Sequence, residues 1–325
     1  MNYFVSSIAC SALLVTTTVP AQTIITTSTV AAGGITAGDT AGYPATISQS
    51  GSFKLGSNLT PTSLTAAISI TGNNVLVDLN GYTIDGGVSC TAGANYGVTC
   101  TGTSSPQNLI NITGRNVTIR NGFVRGSHGN GINVAVAGTG PAGATFDGVV
   151  ISENLGGGIY STSDGLALTN TKSNMSHFDG LRTLSGVSLA NVEFSWNSGF
   201  GAYIAGDATS ESVIASHNAG VGFDQNGGTI RGGSFDFNGT GGYIGYGTIA
   251  HSSAASNFDY GFNTIGGDGV GLVVDSNAYD NYGIGFQMAT STCYARLNSA
   301  GNGAGAGNVQ VSGGTPIGGI TTKCP

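Results

Sequence analysis

Charge is what this chain has least of: 8% of its 325 residues are Asp, Glu, Lys or Arg, and nine of them are basic. With a net charge of −7 and no Lys/Arg run, binding to nucleic acid or to an anionic membrane surface is disfavoured. Proline is scarce at 7, and the 57 glycines follow no three-residue period, which excludes a collagen-like triple helix. No apolar periodicity of helical type runs for a useful length, so a helical bundle is excluded as well. The longest apolar stretch, residues 4–19, is shorter than the roughly 20 residues that cross a bilayer. No Cys-x-x-Cys pair, Gly-x-Ser-x-Gly elbow or phosphate loop occurs. Disorder is excluded by the Val, Ile, Phe and Tyr spread along the whole length.

What is present is a repeat. Asn, three residues, then Gly and usually an apolar residue begins at Asn154, Asn197, Asn218, Asn238, Asn257 and Asn281, at steps of 43, 21, 20, 19 and 24 residues. His128 and His177 are read as degenerate copies in the same column. A period near twenty-one residues means a solenoid, in which each coil shares a continuous core with its neighbours. A second turn column holds Asn80, Asn121, Asn170 and Asn191 between short alternating strands. Asn suits both columns, because it tolerates left-handed φ and its amide can bond to its counterpart one rung away. The residues after the repeat glycines, Ile159, Ala202, Phe223, Tyr243, Phe262 and Phe286, are expected to stack as an interior file.

The stretches Asn74–Ile84 and Asn116–Gly126 resemble the opening coils of the right-handed parallel β-helix superfamily, which includes pectate lyases, polygalacturonases, alginate epimerases and phage tailspikes. The resemblance covers roughly residues 50 to 305, and the two stretches are similar to coils of secreted bacterial right-handed β-helix domain proteins. It implies an all-β chain: a single-stranded right-handed parallel β-helix of about ten coils with three short strands each. The expected division is a signal peptide over 1–21, a lead-in or cap over 22–50, the β-helix over 51–305 and a tail or cap over 306–325. Without the leader four cysteines remain, which allow three pairings; the local one, Cys90–Cys100 and Cys293–Cys324, is the expected one. The polygalacturonase, pectate lyase and alginate epimerase signatures do not occur in this chain.

Ionisable residues gather in the N-terminal half. His128, Glu153, His177, Asp179 and Arg182 form a candidate catalytic set: imidazoles about 9–10 Å apart, a carboxylate base and a guanidinium to hold an acid group. Arg120, Arg125 and Trp196 are candidate substrate contacts. Calcium finds no clustered acidic site, and no metal is expected. Rows of Ser, Thr and Asn at rung spacing suit a repeating polymer, and the low charge favours a neutral or acetylated one. The expectation is therefore a secreted, extracellular or cell-surface protein that binds or scaffolds polysaccharide. A lyase or hydrolase is the alternative.

Overall fold

The structure, a computed structural model, describes residues 22–61, 64–138, 140–184, 186–265, 271–289 and 292–303, and the backbone strands at 309–311 and 321–323. Most of its strands alternate buried and outward-facing residues. In Val117–Arg125, residues Val117, Ile119 and Val124 point into the core while Thr118, Arg120 and Arg125 face outward. Stacking such strands in parallel builds three sheets, one strand of each per coil, over about eleven turns. The first sheet includes Val75–Asp78, Leu166–Thr169 and Leu272–Val274. The second includes Thr83–Asp85, Lys172–Asn174 and Asn277–Tyr279. The third includes Ile68–Ile70, Ile159–Ser161 and Phe286–Met288. Connections between parallel strands are overwhelmingly right-handed, which gives the coil its hand.

Two columns of left-handed residues turn the chain. Asn80, Asn121, Asn170 and Asn191 have φ of 53°, 58°, 50° and 53° between the first and second sheets, as the repeat implied. Later coils use Ser212, Gly232, His251, Asp275 and Arg296 there.

The second column differs from expectation. The left-handed residue is not the repeat Asn but the one before it: Glu153, Met175, Trp196, His217, Phe237, Ser256 and Asp280. The repeat Asn is instead fully buried and bonds along the rod. The Oδ1 of Asn218 accepts from the backbone N–H and the Nδ2 of Asn197, at 3.0 Å each. Its Nδ2 donates to Asn238 Oδ1 at 3.0 Å and to Phe194 O at 2.9 Å. All four hydrogen-bonding positions of the amide are filled, and Asn238, Asn257 and Asn281 repeat the pattern.

The spacing to Gly follows. A Cβ on Gly222 would lie 2.6 Å from Asn238 Nδ2 and 2.7 Å from Gly242 O. Only a residue without a side chain lets the next rung's amide sit that close.

The ladder also corrects the placing of the histidines. Ser127 and Ser176, not His128 and His177, hold the column. The Ser127 N–H donates to Asn154 Oδ1 and the Ser176 N–H to Asn197 Oδ1. A serine hydroxyl fits the buried slot and an imidazole does not.

The interior file forms as expected. Phe223, Tyr243, Phe262 and Phe286 are fully buried, and Phe262 and Phe286 stack at 5.1 Å with planes 6° apart.

Parallel pairing begins earlier than expected, inside 22–50. Thr23–Ile25 pairs with Phe53–Leu55, and Ala45–Ile47 with Ile68–Ile70. Between them the short helix Thr27–Ala32 drops Val30, 1% exposed, over the end of the core. Such a cover protects an edge that would otherwise pair with other chains. Its Thr- and Ala-rich sequence carries no Asn-Gly signal, so it does not read as a coil. At the other end, Val309–Val311 continues the third sheet and Thr321–Lys323 runs antiparallel beside Cys293–Ala300.

Cys90 and Cys100 are bonded across a two-stranded antiparallel ribbon, Ser89–Ala92 with Val98–Thr101. Cys293 is also disulfide-bonded, while Cys324 of the expected pair lies outside the described residues, as does the expected leader 1–21. No helix among the described residues is long and apolar enough to cross a membrane.

Candidate functional site

The residue after each ladder position faces outward, and these residues form a row along the rod: His128, Leu155, His177, Ser198, Ala219, Gly239, Phe258 and Tyr282. The hairpin 89–101 folds back over the first part of this row. The Cys90 N–H donates to Glu153 Oε2 at 3.3 Å, and the Val98 N–H to Ser198 Oγ at 2.6 Å. His177 Nδ1 donates to Val98 O at 3.1 Å, and His128 Nδ1 to Thr103 O at 2.7 Å. Under the hairpin, Val88, Cys90 and Val98 pack with Leu155 and Met175 as a small separate core. The space between the two imidazoles, where the sequence placed a sugar ring, is thus filled by Leu155 and the hairpin's underside.

The other candidate residues are dispersed. Arg120 pairs with Asp78 at 3.1 Å on the first sheet. Arg125 pairs with Asp85 at 2.7 Å and Glu153 at 3.6 Å beside the second. Asp179 and Arg182 meet at 3.1 Å on the approach to the third sheet, and Arg182 lies 4.6 Å over the Tyr203 ring. Asp179 also accepts the Phe200 N–H at 2.8 Å. Trp196 stacks on His217 at 4.5 Å, and His217 on Phe237 at 5.1 Å. Burial lowers the His217 pKa, so the neutral imidazole is the form the stack favours and this contribution is lost as the pH falls below 6.5. Among the described residues no three His, Cys, Asp or Glu side chains gather closely enough to hold a metal ion.

Where the hairpin ends, a groove of 450 Å³ opens, lined by Asn95, Tyr96, Ala219, Gly239, Phe258 and Tyr282 together with Asn238 and Ser256. The row explains its shape. Large side chains lie under the hairpin with Ser198, small residues (Ala219, Gly239) make the floor, and two aromatic rings follow. Phe258 is 67% exposed and Tyr282 74%, their centroids 5.7 Å apart and their planes 23° apart. The opposite wall is Tyr96, at the hairpin tip, edge-on to Trp196 at 6.1 Å and to His217 at 5.4 Å. None of the lining side chains is charged. Sequence reasoning missed Tyr96, Phe258 and Tyr282. Two of them were in view, as the aromatic residues directly after Asn257 and Asn281.

One further group is unusual. Asp224 stands on the third sheet between Tyr203 and Ile244, and burial pushes its carboxyl up to about 6 from an ordinary 3.8. The folded chain then holds a proton that the unfolded chain releases, so this group's contribution falls as the pH rises through that window. Asp224→Asn is expected to raise Tm at neutral pH, with the gain disappearing below 3.8. Thermal melts across pH check this, and a Tm gain independent of pH would contradict it.

No protein-family model matches the chain, and no curated protein does. Among solved structures it is similar to a pectate lyase, at 13% identity and a TM-score of 0.48, over 89% of this chain and 78% of that one. It is similar also to the A-module of a mannuronan C-5 epimerase from Azotobacter vinelandii, at 11% identity and 0.42, over 84% and 91%. A lacto-N-biosidase from Eubacterium ramulus follows at 8% identity and 0.22, over 87% and 67%.

Proposed function

We propose that this chain is a secreted β-helix protein that binds a neutral polysaccharide, without turnover, in the groove between Tyr96 and the Phe258–Tyr282 pair. One observation carries the reading: two large rings on successive rungs are left exposed on a rigid scaffold, facing a third across an uncharged groove. Exposed aromatic surface of this kind marks a binding site. Sugars match it, because the C–H face of a pyranose packs on an aromatic ring while its hydroxyls reach groups such as Ser256 and Asn95 at the rim. Uncharged walls fit an uncharged or acetylated glycan better than a uronate. Export is supported by the Cys90–Cys100 disulfide, which persists in oxidising compartments.

The test is a panel of neutral and acidic polysaccharides, with calcium and with chelator, scored for retention and by mass spectrometry for product. Retention on a neutral polymer with no product is expected. Retention on acidic polymers alone would overturn the reading. Turnover is the second reading, favoured by the 400 Å³ cleft that Asp179 and Arg182 line with Tyr160 and Phe178. Product lost in Asp179→Asn would carry it.

A further inference from the structure

Among the described residues the groove is closed at one end. From Glu153 to His217 the surface beside the ladder is covered by the hairpin, which its disulfide, His177 and Ser198 hold in place. At the tip, Asn95 and Tyr96 are both left-handed, with φ of 53° and 61°. That tight turn lays the Tyr96 ring edge-on against Trp196 and His217, directly across the row. A polymer lying on Ala219 and Gly239 and packed against Phe258 and Tyr282 meets Tyr96 and cannot continue along the rod. Past Tyr282 the row continues as Gly303, which has no side chain.

We propose, resting on the carbohydrate reading above, that the groove receives the end of a glycan chain rather than its interior. The hairpin is the specificity element and Tyr96 its contact face. The chemistry required is a terminal sugar with one apolar face, carried on a neutral chain that extends toward the C-terminal coils.

The experiment is isothermal calorimetry of the full chain with mixed-linkage β-glucan, xylan and galactomannan, each as long polymer and as its acid-hydrolysed oligosaccharides. For whichever sugar binds, chain-end recognition makes the sites per gram fall in inverse proportion to chain length, while the affinity per site stays constant. Equal sites per gram for polymer and oligosaccharide would overturn the inference and leave the carbohydrate reading standing. No heat with any of the sugars would sink the carbohydrate reading itself. A second variant replaces Ala94–Tyr96 by an Asn-Gly turn, which shortens the wall and leaves the coils untouched. Its sites per gram on the long polymer are expected to rise several-fold. A value unchanged from the parent chain would show that the hairpin does not set the end.

Discussion

Asn218→Ala is expected to cost about 3–5 kcal/mol, read as a large drop in the midpoint of urea unfolding. The size follows from what the amide satisfies. Its loss strips acceptors from the Asn197 N–H and Nδ2, and a donor from Phe194 O, in a place where Asn218 is fully buried. A buried group left without a partner costs about 1–3 kcal/mol, more than the net gain of the bond it lost. In a solenoid each coil is stabilised by its neighbours alone, so the damage opens the rod locally. Asn191 is the contrast. It is exposed, has φ of 53°, and makes a 2.7 Å bond to Asn170. Asn191→Ala should cost about 1 kcal/mol for the left-handed backbone, and Asn191→Gly less still. Equal effects at Asn218 and Asn191 would refute the division of labour between the two columns.

The second large effect concerns binding. Phe258→Ala and Tyr282→Ala are each expected to weaken retention of the neutral glycan at least tenfold, the loss of about 1.4 kcal/mol that one buried aromatic contact readily exceeds. The double variant should abolish it. Both rings project from the surface, so Tm should change little, and circular dichroism and melting verify that the rod is intact. Lys172→Ala, whose ammonium pairs with Glu193 at 2.6 Å outside the groove lining, serves as a surface control and should retain glycan normally. Unchanged retention in both aromatic variants would remove the groove from the account.

Much of this was legible in the sequence. The Asn-x-x-x-Gly repeat gave the coil, because the ladder amide and the glycine beneath it constrain each other directly. The file Phe223, Tyr243, Phe262 and Phe286 followed from the same register. The serine rungs are legible too, because Ser127 and Ser176 stand four residues before Gly131 and Gly180, as each ladder Asn stands before its glycine. The neighbouring histidines stand one residue out of that register, in the outward row and not in the buried ladder.

The hairpin was not legible. Its strands and its disulfide are local, but its docking surface lies far along the chain. Val98 bonds to Ser198, a hundred residues away, and no periodicity encodes that contact. The fold-back closes the space between the imidazoles and leaves a groove beyond Tyr96, which no local feature of the sequence signals. The capping helix Thr27–Ala32 escaped notice for a different reason: six residues with a Thr26 cap leave no periodic trace.

The most direct measurement is amide hydrogen exchange by mass spectrometry, with and without the neutral glycan that the panel retains. Slowed exchange is expected at Asn95–Gly97 and around Gly239, Phe258 and Tyr282, with the rest of the rod unchanged. Protection confined to the cleft of Asp179 and Arg182 would contradict the account and move the site to the third sheet.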